Sequence, residues 1–164
     1  MMALIMNMKP RSKNRAVWFV AFAIAGVVAA SGLSHYLTPK EIVPWRKSFT
    51  AAQTEAQSSG KLMLVDFSAT WCPPCQAMKR TTWASRDVEQ SLRKYVPVQV
   101  DVDQDPDVAT KYGIETLPTL MVVDAAGNVV HRNTEGALDV ADFLDWLNST
   151  PTAPPLATTT ASAD

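Results

Sequence analysis

The run Leu62-Met63-Leu64-Val65-Asp66-Phe67 leads, through Ser68-Ala69-Thr70, into Trp71-Cys72-Pro73-Pro74-Cys75. A near-continuous apolar run of this length reads as a central parallel strand buried on both faces. The segment from Gln76 to Trp83 is compatible with a helix, so the cysteines fall at a strand-to-helix junction. They are the only 2 cysteines in the chain. A helix beginning just after Cys72 places that sulfur beside free N–H groups and the positive end of the helix dipole. Such thiols have pKa values of roughly 3.5–7.5 rather than about 8.5. Cys75 lies one turn on along the same face, within reach of a mixed disulfide formed at Cys72. Cys72 is therefore expected to attack and Cys75 to resolve.

The prolines between them bear on the thiolate. Each lacks an N–H, so neither position 73 nor 74 can donate to Cys72, and Cys75 N–H is the nearest remaining donor. The restriction that a proline places on its predecessor predicts a helix start at or after Pro74. A thiolate with fewer donors makes the dithiol a better reductant. Two other readings of the pair remain open here. A structural bridge would close a very short loop, with little effect on chain entropy. A structural zinc needs four ligands, and besides carboxylates only His35 and His131 are left to supply them.

At 164 residues and 47% hydrophobic content the chain has the material for one packed domain plus appendages. Of its 15 basic side chains, Lys9, Arg11, Lys13 and Arg15 precede residue 16, where none of the 16 acidic ones lies; the remainder carries 11 against 16, a net of −5. No basic patch of the kind that nucleic acid needs is present there, so no nucleic-acid partner is expected. Ala16 to Pro39 contains no Asp, Glu, Lys or Arg. An apolar run long enough to cross a bilayer behind a basic segment implies a cytoplasmic N-terminus and an exported remainder. The expected organisation is a basic cytoplasmic segment at 1–15, a transmembrane anchor or signal segment at 16–37, a tether at 38–44, a domain at 45–148 and a disordered tail at 149–164. Val28-Ala29-Ala30 also fits a signal-peptide cleavage site, which would release the domain. Either way the cysteines lie where disulfide chemistry takes place.

Along the domain, Trp45, Phe49, Ala52 and Ala56 recur with helical spacing, and Ser58-Ser59-Gly60 ends that helix. Asp87 with Gln90 resembles a capping box, ahead of Val88, Leu92 and Tyr95 on one helix face. Val96 to Val102 alternates as a strand. Asp105-Pro106 opens a helix that runs to about Tyr112-Gly113. Leu120–Val123 and Val129–His131 form a hairpin across Ala125-Ala126-Gly127-Asn128. Val140, Phe143, Leu144 and Leu147 mark a C-terminal helix. This order predicts an α/β fold: a mixed central sheet with helices on both faces, preceded by one N-terminal hydrophobic helix.

Over residues 41–148 the sequence resembles the thioredoxin family. The resemblance is carried by Val65-Asp66-Phe67, Trp71-Cys72-Pro73-Pro74-Cys75, Val102-Asp103-Gln104-Asp105-Pro106, Lys111-Tyr112-Gly113-Ile114, Leu117-Pro118-Thr119-Leu120 and Glu135-Gly136-Ala137-Leu138. Lys79-Arg80-Thr81-Thr82-Trp83 is more similar to exported thioredoxin-like domains, such as the C-terminal domain of bacterial membrane disulfide reductases. The resemblance implies a thioredoxin fold, with Cys72 as nucleophile and Cys75 as a buried resolving thiol. It implies that Asp66 is a buried acid moving the resolving proton, and that Pro118 is a cis-proline presenting the Leu117 backbone to substrate. Trp71, Pro73 and Pro74 would complete the substrate-binding surface. Ser68 and Gln99 depart from the family, which often has Trp and Lys at these places.

The function expected is thiol–disulfide interchange on protein disulfides outside the cytoplasm, in the reducing direction. The Cys72–Cys75 pair is itself the redox group, so no separate cofactor and no metal are expected. Electrons would come from an upstream donor, a membrane thiol–disulfide protein. The alternative is a non-catalytic module using the same fold for binding, metal delivery or assembly, in which His131 would have to join the thiols.

Overall fold

Strand β1, Met63–Ser68, is buried along its whole length and lies between two neighbours. It pairs in parallel with β2 (Val96–Asp101) and antiparallel with β3 (Thr119–Val123), and β3 pairs antiparallel with β4 (Val129–Arg132). The sheet order is β2-β1-β3-β4. In this computed structural model the described residues are 39–133 and 135–151, with Phe19, Ala25 and Gly26 from the N-terminal run. Apart from those three residues, the expected anchor or signal segment lies outside the described residues, as do the basic segment before it and the tail from 152 onward. Among the described residues no helix is long and apolar enough to cross a membrane.

Successive strand residues face opposite sides of the sheet, and this parity sorts the core into two layers. Met63, Val65 and Phe67 join Val96, Val98, Val100, Met121 and Val123 on one face. Helix α1 (Phe49–Ser59) covers that face with Phe49, Ala52 and Ala56, beside Tyr112 at the end of α4 (Pro106–Lys111). Leu64, Leu120 and Val122 face the other side, against Met78 of α2 (Pro73–Arg80), Val88 and Leu92 of α3 (Arg86–Leu92), and Phe143 and Leu147 of α5 (Val140–Asn148). Helices thus cover both faces of a mixed sheet, as the order of elements predicts.

Local chemistry explains most boundaries. Ser48 caps α1 by accepting from Ala51 N at 3.3 Å, and Gly60 ends it with φ +69°, a left-handed value that favours glycine. Three expectations need correction. Trp45 precedes α1 and packs on the opposite face, edge-on to Trp83 at 5.1 Å, because the Ser48 cap starts the helix after it. Ser85, not Asp87, is the N-cap residue of α3, and no side chain caps it; Asp87 falls in the first turn. Helix α2 begins at Pro73 and stops at Arg80, with a separate 3-10 turn at Thr82–Ala84.

The outer edge of β2 is occupied as well. Arg46 forms a parallel bridge to Val98, donating to Pro97 O and accepting from Gln99 N, both at 2.9 Å. Pro97, which lacks an N–H, sits on this edge, where no sheet bond to an inner strand is lost. Beyond α5, Ser149 N and Thr150 N bond back to the last carbonyls of the helix.

Candidate active site

Where β1 ends at Ser68 the chain turns through Ala69–Trp71 and enters α2. Cys72 N donates to Ala69 O at 3.3 Å, and the Gln76 side-chain amide donates to Ala69 O and Thr70 O. Cys72 is the N-cap of α2, with extended backbone (φ −85°, ψ 107°). That conformation satisfies the restriction set by Pro73. Pro73 is nevertheless helical ahead of Pro74, one residue earlier than expected. A first helical position has no partner for an N–H within the helix, so proline is accommodated there at no loss of an intrahelical hydrogen bond.

Cys72 and Cys75 are joined by a disulfide, with Cα atoms 5.3 Å apart. Of the first three helix amides that could point at the capping sulfur, two belong to prolines. Cys75 N alone donates to Cys72 Sγ, at 3.3 Å. Cys72 is 2% exposed and Cys75 3%, so accessibility in the oxidised state does not rank the two sulfurs. Position does: one sulfur caps the helix and the other lies inside its first turn.

The disulfide packs with Ala69, Val102 and Leu117. The Leu117–Pro118 peptide is cis. Pro118 itself is buried, and Leu117 is half-buried against the sulfurs. Pro73 and Pro74 are exposed on the helix start. Trp71 is 65% exposed, its indole N–H held by Asp103 Oδ2 at 2.7 Å. Asp103 is oriented in turn by its own N–H donating to Asp101 Oδ1. The ring therefore stands on the surface next to Cys72, hydrogen-bonded to Asp103.

Asp66 shares the β1 face of Leu64 and is 2% exposed. Burial pushes its carboxyl up to about 6; a hydrogen bond from Gln99, and the more distant Lys79 and Lys47, pull the other way, while Glu41 adds to the rise. Oδ2 accepts from Gln99 Nε2 at 2.9 Å, and Oδ1 has no partner among the described residues. A carboxyl with this proton affinity exchanges protons readily near neutrality.

His131 lies on β4, stacked on Trp146 at 5.0 Å and beside Ser149. The residues that sequence reasoning missed are Lys47, whose Nζ donates to Gln99 Oε1 at 2.6 Å, and Asp103. Gln99 carried a signal, as a polar side chain set between Val98 and Val100. Lys47 carried none, because nothing local distinguishes it from a surface lysine.

The arrangement supports two-electron thiol–disulfide exchange, and the comparisons agree. Residues 49–151 match the thioredoxin-like domain family. A thioredoxin-like protein of Synechocystis sp. is 39% identical over 103 residues, 62% of this chain and 93% of that protein. Thioredoxin Y of Oryza sativa chloroplasts is 32% identical over 132 residues, 76% of each chain. The thiol:disulfide interchange protein DsbD of Actinobacillus pleuropneumoniae is 26% identical over 148 residues, 82% of this chain but only 25% of DsbD. This chain thus spans about a quarter of that relative. A thioredoxin from Thermus thermophilus superposes with TM-score 0.57 at 28% identity, covering 65% of this chain and 85% of that one. The oxidised C-terminal domain of Neisseria meningitidis DsbD shares the fold, with TM-score 0.53 at 23% identity, covering 62% and 91%. The match runs from the first helix to the last and includes the disulfide junction: the chain is a member of the thioredoxin-like domain family.

Proposed function

We propose that this thiol–disulfide oxidoreductase acts as a reductase of protein disulfides outside the cytoplasm. In the reduced enzyme the Cys72 thiolate attacks one sulfur of a substrate disulfide. That bond breaks, the departing sulfur takes a proton, and a mixed disulfide joins Cys72 to the substrate. Cys75 passes its proton to Asp66 and attacks Cys72 Sγ. The Cys72–Cys75 bond forms, the mixed disulfide breaks, and the second substrate sulfur leaves and is protonated. Two electrons have moved to the substrate, and the enzyme is left oxidised. Trp71, Pro73, Pro74, Leu117 and Pro118 form the surface on which the substrate strand lies.

The observation that carries the reducing direction is the helix cap: a sulfur at an N-cap with one amide donor, Cys75 N, because the first two helical positions are prolines. Fewer donors leave the thiolate less stabilised, which favours giving electrons away. The test is insulin disulfide reduction with a small dithiol as electron source. Turnover should be lost in Cys72→Ser, while Cys75→Ser should accumulate mixed disulfides. No turnover in the native protein, or undiminished turnover in Cys72→Ser, removes the proposal. Direction is tested by trapping the pair with an alkylating agent in growing cells; a mostly oxidised pair would make the protein an oxidant.

The extracytoplasmic location is supported by the basic segment before the uncharged run Ala16–Pro39 and by the similarity to DsbD. We infer a membrane anchor with the domain outside, fed by a membrane thiol–disulfide donor. Cleavage near Ala30 would release the same domain. Protease treatment of spheroplasts should digest the domain without lysis, and fractionation should leave it with the membrane.

A further inference from the structure

We propose that Lys47 is a positioning residue for the buried acid: it fixes the Gln99 side-chain amide so that its NH2 group, not its oxygen, faces Asp66. This rests on the reading of Asp66 as the proton acceptor from Cys75.

The geometry is a short relay from surface to core. Lys47 is exposed, Gln99 is buried on β2, and Asp66 is buried opposite it on β1. Lys47 Nζ donates to Gln99 Oε1 at 2.6 Å, and Gln99 Nε2 donates to Asp66 Oδ2 at 2.9 Å. An ammonium group can only donate, so the amide oxygen must turn towards Lys47. The NH2 then has to face the carboxyl. Backbone holds the lysine in place: its neighbour Arg46 is bonded to β2 on both sides of Val98.

Orientation matters because the two ends of an amide favour opposite protonation states. An NH2 aimed at Asp66 stabilises the carboxylate; a carbonyl aimed there would accept from the protonated acid and stabilise that form. Without Lys47 the amide is free to turn over. The other charged groups acting on Asp66 are Glu41 on the N-terminal segment, held by the Trp45 indole N–H, and Lys79 on α2. Neither bonds to the Gln99 side chain among the described residues.

The test titrates the Asp66 carboxyl by 13C NMR in the oxidised 164-residue chain. Lys47→Met should raise its pKa by about one unit, the order of one hydrogen bond to a charged group, and Lys47→Arg should restore it. In a Gln99→Met background, Lys47→Met should have less than half that effect. An equal effect in both backgrounds would mean that the lysine acts through space as a bare charge, and overturns the proposal. So does no effect in the native background. Lys47 is on the surface, so its single variants keep the question open to refutation even where Gln99→Met does not fold. Insulin reduction across pH separates the two claims. If the carboxyl moves and the pH–rate profile does not, the positioning role stands and Asp66 is not the base.

Discussion

Replacing Asp66 with Asn should change how stability depends on pH. In the folded state burial raises the Asp66 carboxyl from its ordinary 3.8 to about 6. At about 1.36 kcal/mol for each pH unit of that rise, ionising it in place costs roughly 3 kcal/mol. The folded protein holds this proton more tightly than the unfolded chain. Between the two values the folded state therefore binds more protons, and its stability falls as pH rises. The Asp66 contribution is favourable below about pH 4, is lost as pH climbs through about 6, and is constant above that. Asn cannot titrate. Its oxygen can still accept from Gln99 Nε2, but its NH2 group occupies the place of the unpartnered Oδ1, a pH-independent penalty of about 1–3 kcal/mol. That penalty shifts the variant by the same amount at every pH, so the change of the difference with pH is the quantity to read. Urea unfolding of the oxidised proteins, compared at about pH 4 and about pH 8, should show the variant gaining roughly 2–3 kcal/mol on the native protein over that interval. Parallel stability curves would refute the reasoning, since they would place the carboxyl in contact with water or hold its charge in some other way.

Pro73→His supplies an amide at the first helical position, beside Cys72 Sγ. One added hydrogen bond to the thiolate, about 1 kcal/mol, should move the reduction potential roughly 20 mV to less reducing values, measured by equilibration with glutathione; a move the other way counts against the cap argument. Trp71→Ala should leave stability within about 0.5 kcal/mol, because the ring is largely exposed, yet raise the KM for insulin several-fold; an unchanged KM removes Trp71 from the substrate surface. Trp83 is 1% exposed and edge-on to both Trp45 and Phe143. Trp83→Ala should cost about 3–5 kcal/mol in urea unfolding, and a loss of less than about 1 would show that the layer collapses around it.

Much of the architecture could be read along the chain. Valines at 96, 98 and 100 alternate with Pro97 and Gln99, and that period alone places a strand with two unlike faces. Gly60 at the end of α1 and Cys72 at the start of α2 are local events, decided by a few neighbouring dihedrals. The limits of such reading show at Trp45. Its spacing fits the helix, yet a serine cap three residues later starts the helix beyond it, and the ring crosses to the other side of the sheet.

Periodicity, caps and the spacing of two cysteines are properties of consecutive residues, so the sequence by itself determined the strand, the reactive helix start and the exchange chemistry they permit. Which groups surround the buried acid was decided only by the tertiary structure. The parallel register of β1 on β2 sets Asp66 against Gln99, and a one-residue bridge at Arg46 brings Lys47 to the same amide. A charge 52 positions away in sequence bears on that amide because the chain folds back beside it, and no pattern along the chain records that closure.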